Sequence, residues 1–135
     1  MHSPKKQTMP VQHVYEYAVI RVLPVVEREE YLNVGIIIFC KSSKYIGVRT
    51  VLNEQRLSAF ATELDSAEVR NNLMAFERIA EGAPDGGPIA SLDVPSRFRW
   101  LTAVRSSSIQ TSRPHPGLCS DLDGTLDRLF RELVL

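Results

Sequence analysis

Four arginines and one histidine near the end of the chain are the densest set of side chains that could bind an anion. They are Arg97, Arg99, Arg105, Arg113 and His115, with serines at 106 to 108. Guanidinium groups pair bidentately with phosphate or carboxylate, and serine hydroxyls can complete such a site. We therefore predict an anion- or partner-binding surface built on Arg97, Arg105, Ser106 and His115, to which Arg21 and Glu29 also contribute. The alternative for these residues is surface solubility and ion pairing.

A run of four charged residues at 27 to 30 could supply carboxylates to the same site. Carboxylates held close together have perturbed proton affinity, which suits acid-base chemistry. An enzyme acting on a phosphorylated or nucleic-acid substrate would use Glu29 or Glu30 with His115 and the arginines. The run has no DxD or HxxE spacing. Solvated charges in a connection between strands are therefore the ordinary interpretation.

An alternating pattern on two predicted strands forms a second candidate surface. Tyr17 and Arg21 recur at strand spacing with Tyr45 and Arg49, which predicts one aromatic and basic sheet face. Unpaired bases of nucleic acid stack on such faces. Sixteen basic and sixteen acidic residues cancel, which tells against a dedicated nucleic-acid binder. A face covered by helices or by a second subunit is the favoured alternative, because buried tyrosines can still find partners for their hydroxyls.

The string DLDGTL at 121 to 126 is similar to the first motif of haloacid-dehalogenase-type phosphatases. In those enzymes the first aspartate attacks phosphorus and the second acts as acid and base. That chemistry needs a buried strand before the motif, and SRPHPGLCS precedes it here. Only ten residues follow Thr125, too few for the other catalytic elements. We predict instead that Asp121 or Asp123 caps the last helix.

His115 lies between Pro114 and Pro116, so its loop is stiff and its imidazole is held in place. A general base or a switch residue is one interpretation of this position. A hydrogen-bonding or packing role is the one we favour, because the sequence shows no nucleophile at a distance that can be judged.

Length and composition predict one domain without a metal or cofactor. The chain has 135 residues, of which 44% are hydrophobic and 24% charged, as in an ordinary globular protein. Cys40 and Cys119 are far apart and lack CxxC spacing, so both are expected to be free thiols. The polar start is not a secretory signal, and the longest apolar run is too short to span a bilayer. We expect a cytoplasmic protein.

The hydrophobic pattern predicts an antiparallel sheet. Residues 1–12 resemble a disordered tail, and a single domain is expected over 13–135. Strands are predicted at 15–23, at 32–40, where the apolar run suits burial on both faces, and at 45–51. The short connections favour a three-stranded meander, and residues 106–112 form either an edge strand or a loop.

Helical spacing begins at Asn53 and continues, with a second cap at Asp65, as far as Gly82. The glycine- and proline-rich residues 82–88 predict a loop. A short helix is expected through Phe98 and Leu101, and a last helix over 122–135. The predicted fold class is therefore α+β, with a three- or four-stranded antiparallel sheet covered on at least one side by helices.

Three blocks of the chain resemble the bacterial family called domain of unknown function 3037. They are YEYAVIRVLPVVEREEYLNVGIIIFC at 15 to 40, RFRWLTAVRSSSIQTS at 97 to 112, and the following His115 and Gly117. The resemblance implies a single-domain cytoplasmic bacterial protein. It also implies a protein partner, because members are associated with neighbouring genes for kinases similar to the HipA toxin. A non-catalytic interaction or regulatory module is thus our leading hypothesis.

Overall fold

The computed structural model describes residues 11–23, 31–60, 65–103 and 108–135. The described residues form strands β1 (His13–Val22), β2 (Leu32–Cys40), β3 (Tyr45–Thr50), β4 (Ile109–Thr111) and β5 (His115–Cys119). The helices are α1 (Glu54–Phe60), α2 (Ser66–Glu81), α3 (Val94–Thr102) and α4 (Leu122–Leu133), and a 3-10 helix spans Pro88–Ser91.

All pairings in the sheet are antiparallel, with β2 between β3 and β1. The outer edge of β1 is divided between two short strands. The end of β1, Ile20 to Val22, pairs with β4, and its beginning, His13 to Tyr17, pairs with β5. The predicted meander is thus confirmed, and β4 and β5 extend it at one edge.

A β-bulge in β2 changes which residues face each side of the sheet. Ile20 pairs with Gly35 and Arg21 with Asn33, so Val34 is the extra residue. As a result, Leu32 and Val34 lie on the same face as Ile37 and Phe39. The bulge therefore lets an almost continuous apolar run supply both faces of the sheet.

Helices cover both faces, and each face has its own core. On the first face, which we call the α2/α3 face, Ala18, Ile20 and Val22 of β1 pack with Leu73 of α2 and Phe98 of α3. The opposite face, which we call the α4 face, packs apolar side chains of β1 and β2 against α4: Tyr15, Val19, Ile36 and Ile38 against Leu126, Leu129 and Phe130. The sheet is therefore the middle layer of three.

Side-chain caps fix the helix starts. Asn53 accepts from the amide of Arg56, Asp65 from those of Ala67 and Glu68, and Asp93 from that of Ser96. Gly82 ends α2 in the left-handed conformation, with φ of 67°, which glycine adopts without strain.

The α+β class, the antiparallel sheet and its helical cover are confirmed. The strand β5 was not predicted, because two prolines bracket His115 and the segment has the composition of a loop. Of the two alternatives for residues 106–112, the strand is observed, as β4, and the short predicted helix begins at Val94. Residues 1–10, 24–30, 61–64 and 104–107 lie outside the described residues.

Ser112 closes the gap between β4 and β5 along the edge of β1. Its hydroxyl accepts from the amide of Val19 at 2.9 Å, and its own amide donates to the Val19 carbonyl at 2.8 Å. The same hydroxyl is 3.1 Å from the carbonyl of Arg113. Ser112 is buried, so it supplies the partner that an adjoining strand would otherwise give to Val19.

We predict that Ser112→Ala lowers the free energy of unfolding by about 1–3 kcal/mol, because a buried amide loses its acceptor. Urea denaturation checks this value. Ser120→Ala removes an exposed hydroxyl and is expected to change stability by no more than about 0.5 kcal/mol. Equal effects of the two substitutions would contradict the role assigned to Ser112.

Candidate functional site

The residues predicted to form an anion or partner site do not converge. Arg105, Ser106 and Glu29 lie outside the described residues. Arg97 is on α3, where its Nη1 donates to the carbonyl of Leu92 at 2.6 Å. Its guanidinium also lies beside Gly82, at the end of α2. Arg97 therefore belongs to the helical layer on the α2/α3 face.

His115 and Arg21 lie on the opposite side of the sheet from Arg97. His115 is directly across from Tyr17, and their ring centroids are 5.3 Å apart. Tyr17 packs against the α4 core, which places His115 on the α4 face. Arg21 follows Tyr17 by four residues along β1 and shares that face. The structure therefore brings His115 and Arg21 to one face and separates both from Arg97.

Arg99 forms a bidentate ion pair with Glu16 across the α2/α3 face. Its two terminal nitrogens are 2.9 and 2.6 Å from the two carboxylate oxygens. The hydrogen bond to Glu16 raises the pKa of Arg99. The guanidinium also lies over the rings of Phe39 and Phe98. This arginine thus joins α3 to the beginning of β1.

The aromatic and basic face predicted from Tyr17, Arg21, Tyr45 and Arg49 exists, but α4 covers half of it. The hydroxyl of Tyr45 donates to Asp123 of α4. Arg49 pairs with Asp127 and lies over the ring of Phe130. The favoured alternative, a face covered by a helix, is confirmed for the half-buried Tyr45, whereas Arg49 pairs with α4 and remains exposed.

The aspartates of the DLDGTL string have structural partners. Asp121 caps α4 by accepting from the amide of Gly124 at 3.1 Å. Asp123 accepts from Tyr45. The predicted capping role of Asp121 is confirmed, and the first strand of a phosphatase motif is not what precedes it: β5 is a short edge strand that pairs only with β1 among the described residues.

Both cysteines are free, and Cys40 is enclosed by hydroxyl groups. Its sulfur is 3.5 Å from the Ser42 hydroxyl and 3.6 Å from that of Ser43, which in turn contacts Nδ1 of His13 at 3.0 Å. Burial raises the pKa of the Cys40 thiol, but the hydrogen bonds outweigh burial and the net pKa is lowered. The thiol is fully buried, so it contacts other parts of the protein and no solvent.

An apolar surface that the sequence did not reveal lies on the ribbon formed by the start of β1 and β5. Val14 and Leu118 are cross-strand partners on the α2/α3 face, and they are 67% and 61% exposed. Pro116 stands next to them on the same face and is also exposed. Val14 and Leu118 belong to neither of the two apolar cores. We call Val14, Pro116 and Leu118 the ribbon patch.

A groove of about 590 Å³ adjoins the ribbon patch. Val14 and Phe39 contribute apolar surface to it, and Glu16, Lys41 and Ser42 contribute polar groups. Glu16, whose carboxylate pairs with Arg99, therefore contributes charge to the lining of this groove. The alternation of apolar residues in β1 was the sequence signal that could have indicated this patch. Because β5 was not predicted as a strand, Val14 had no predicted cross-strand partner.

The family profile described as protein of unknown function (DUF3037) matches residues 17–134. The chain belongs to this family. The searches of curated proteins and of solved structures returned no match. The match agrees with the resemblance of the three sequence blocks. Because the function of this family is unknown, a biochemical role has to be inferred from the geometry of the structure. None of the helices in the described residues has the length and apolar character needed to cross a membrane.

The pKa of Tyr45 is raised, first by burial and then by its bond to Asp123 and by nearby carboxylates. The folded state therefore favours the neutral phenol. This contribution to stability is present below the unfolded pKa of about 10 and is lost as the pH rises above it.

We expect the free energy of unfolding to fall more in the wild type than in Tyr45→Phe between about pH 8 and pH 11. Urea denaturation at both pH values measures the difference. Tyr31→Phe, at an exposed position, should follow the wild type. A Tyr45→Phe protein with the same loss as the wild type would show that folding does not raise the pKa of Tyr45.

Proposed function

We propose that this protein is a non-catalytic interaction module that binds a partner protein through the ribbon patch and the adjoining groove. The observation that carries the proposal is the direct pairing of two strongly exposed aliphatic side chains, Val14 and Leu118. Scattered apolar residues are normal on protein surfaces, whereas contiguous apolar patches rimmed by polar groups are typical of binding sites.

The surroundings of the patch support a specific contact surface. The groove is lined by Val14, Tyr15 and Phe39, and the exposed side chain of Val14 offers apolar surface to an apolar anchor from a partner. Glu16 and Arg99 hold each other in a fixed geometry at its side, and Lys41 adds a separate positive charge. A polar rim of this kind fixes register and orientation, while the apolar centre supplies binding energy. The expected partner segment is therefore apolar at its centre and carries acidic groups near Lys41.

A kinase similar to the HipA toxin is the first partner to test, on the strength of the implied association of this family with such genes. We infer that the interaction takes place in the bacterial cytoplasm. The enzyme alternative requires Arg97 and His115 to share a cleft with a carboxylate. Because these residues lie on opposite sides of the sheet, the interaction module is the better supported of the two functions.

The test is affinity purification of the tagged protein from its native lysate, and a parallel binding assay with the purified HipA-like kinase. The variant is Val14→Thr/Leu118→Thr, which places β-branched residues that suit strands at both positions while removing apolar surface. We expect partner binding to weaken about tenfold or more, as at interface hot spots. Stability should change by no more than about 0.5 kcal/mol per site.

Met74→Gln is the matched control, since Met74 is an exposed apolar residue on α2. It should bind the partner as the wild type does. Loss of binding in both variants would indicate nonspecific association through exposed apolar residues. Undiminished binding by the double variant would place the contact elsewhere. Either result would contradict the proposed surface.

A further inference from the structure

A corner of the α4 face is not covered by α4. This helix packs chiefly on β2 and β3, whereas the end of β1 lies next to β4, at the opposite edge of the sheet. Arg21 stands at this corner, with Asn33 of β2 and Gln110 of β4 directly opposite it on the two neighbouring strands. The side chains of directly opposite residues share a face, so three polar side chains form a row across the strands.

The Arg21 side chain packs against Tyr31. The structure shows no acceptor for its hydrogen bonds among the described residues. Its guanidinium carbon lies 4.3 Å from the centroid of the Tyr31 ring. The Nε atom is buried and has no hydrogen-bond partner. Among the described carboxylates, none forms an ion pair with this arginine. A buried donor left unpaired is unusual in proteins, and a bound water or ion is one of the explanations for it.

Stacking on Tyr31 determines which ligand would fit. A guanidinium plane that rests on an aromatic ring keeps its N–H groups at its edge, where they form a rigid fork. That fork matches the paired oxygens of phosphate and carboxylate groups. The amide of Asn33 already donates to the carbonyl of Leu133 at 2.9 Å, which fixes this side of the row against the end of α4. The arginine is thus pre-oriented before any ligand arrives.

We propose that Arg21, stacked on Tyr31, is the anchor of an oxyanion-binding site at this corner of the sheet. The ligand is a small molecule that carries a phosphate or carboxylate group, and the guanidinium fork binds two of its oxygens. The site lies on the opposite face from the ribbon patch, so it does not depend on the proposed protein partner. Tyr17 and His115 lie on the same face about 13 Å along β1, within reach of a ligand that also has an aromatic ring.

The experiment is a nuclear magnetic resonance titration of the whole protein with inorganic phosphate, acetate or AMP, at constant ionic strength set with chloride. The reporters are the Nε–H resonance of Arg21 and the backbone amides of Arg21 and Tyr31. We expect saturable shifts with at least one oxyanion and none with chloride. Acetate as effective as phosphate would assign a carboxylate ligand, and phosphate alone a phosphorylated one. AMP several-fold tighter than phosphate would extend the site toward Tyr17.

Three variants test the anchor. Arg21→Lys keeps the charge but loses the fork, and Arg21→Gln loses both; each should weaken binding about 10-fold or more. Tyr31→Leu, at a position that is 48% exposed, leaves the arginine but removes its support and should weaken binding several-fold. Arg56→Gln, at an exposed arginine of α1, should bind as the wild type does.

A wild-type Arg21 Nε–H resonance that none of the oxyanions moves would overturn the proposal. So would Arg21→Gln with the affinity of the wild type. Val14→Thr/Leu118→Thr should retain oxyanion binding, which separates failure of this site from failure of the ribbon patch.

Discussion

Burial of β2 on both faces is the constraint on which the rest of this structure depends. Ile36, Ile37 and Ile38 are fully buried although they point alternately to opposite sides of the sheet. A strand of this kind is stable only if apolar layers cover both faces. The chain provides them by sending α2 and α3 to one face and α4 to the other. The bulge at Val34 adjusts the alternation so that both layers receive apolar side chains.

The two helical layers cover β2 and β3 better than they cover the far edge of the sheet. That edge consists of β1 with two short strands, and Ser112 replaces the missing ladder between them. The uncovered parts of β1 are consequently the parts with surface chemistry: the ribbon patch near its start and Arg21 near its end. Both proposed functional surfaces thus lie on parts of the sheet that the helices do not cover.

The two proposed surfaces are carried by one strand but face opposite ways. Val14 and Arg21 are seven residues apart, which is about 23 Å along a strand, and they point to different faces. A bound partner protein and a bound oxyanion would therefore not compete for space. The rigid pairing of β1 with β2 also gives neither surface much freedom to rearrange, which suits recognition by preformed geometry.

The sequence by itself determined the local elements and the fold class. Strand alternation, helical spacing and the caps at Asn53, Asp65 and Asp121 depend on residues within a few positions of one another, so a single sequence reveals them. It also predicted correctly that the Asp121 string caps a helix and that Cys40 and Cys119 are free. The resemblance over residues 15–117 agrees with the family match.

Only the tertiary structure decided which side chains meet. The pairing of β5 with β1 joins residues about a hundred positions apart, and a proline-flanked segment gives no local sign of it. The same pairing creates the ribbon patch and places His115 on the face opposite Arg97. The position of α4 over β2 and β3 covers Tyr45 and leaves the corner at Arg21 open. Contacts of this range depend on register and on the packing of whole layers, and neither is set by the spacing of neighbouring residues.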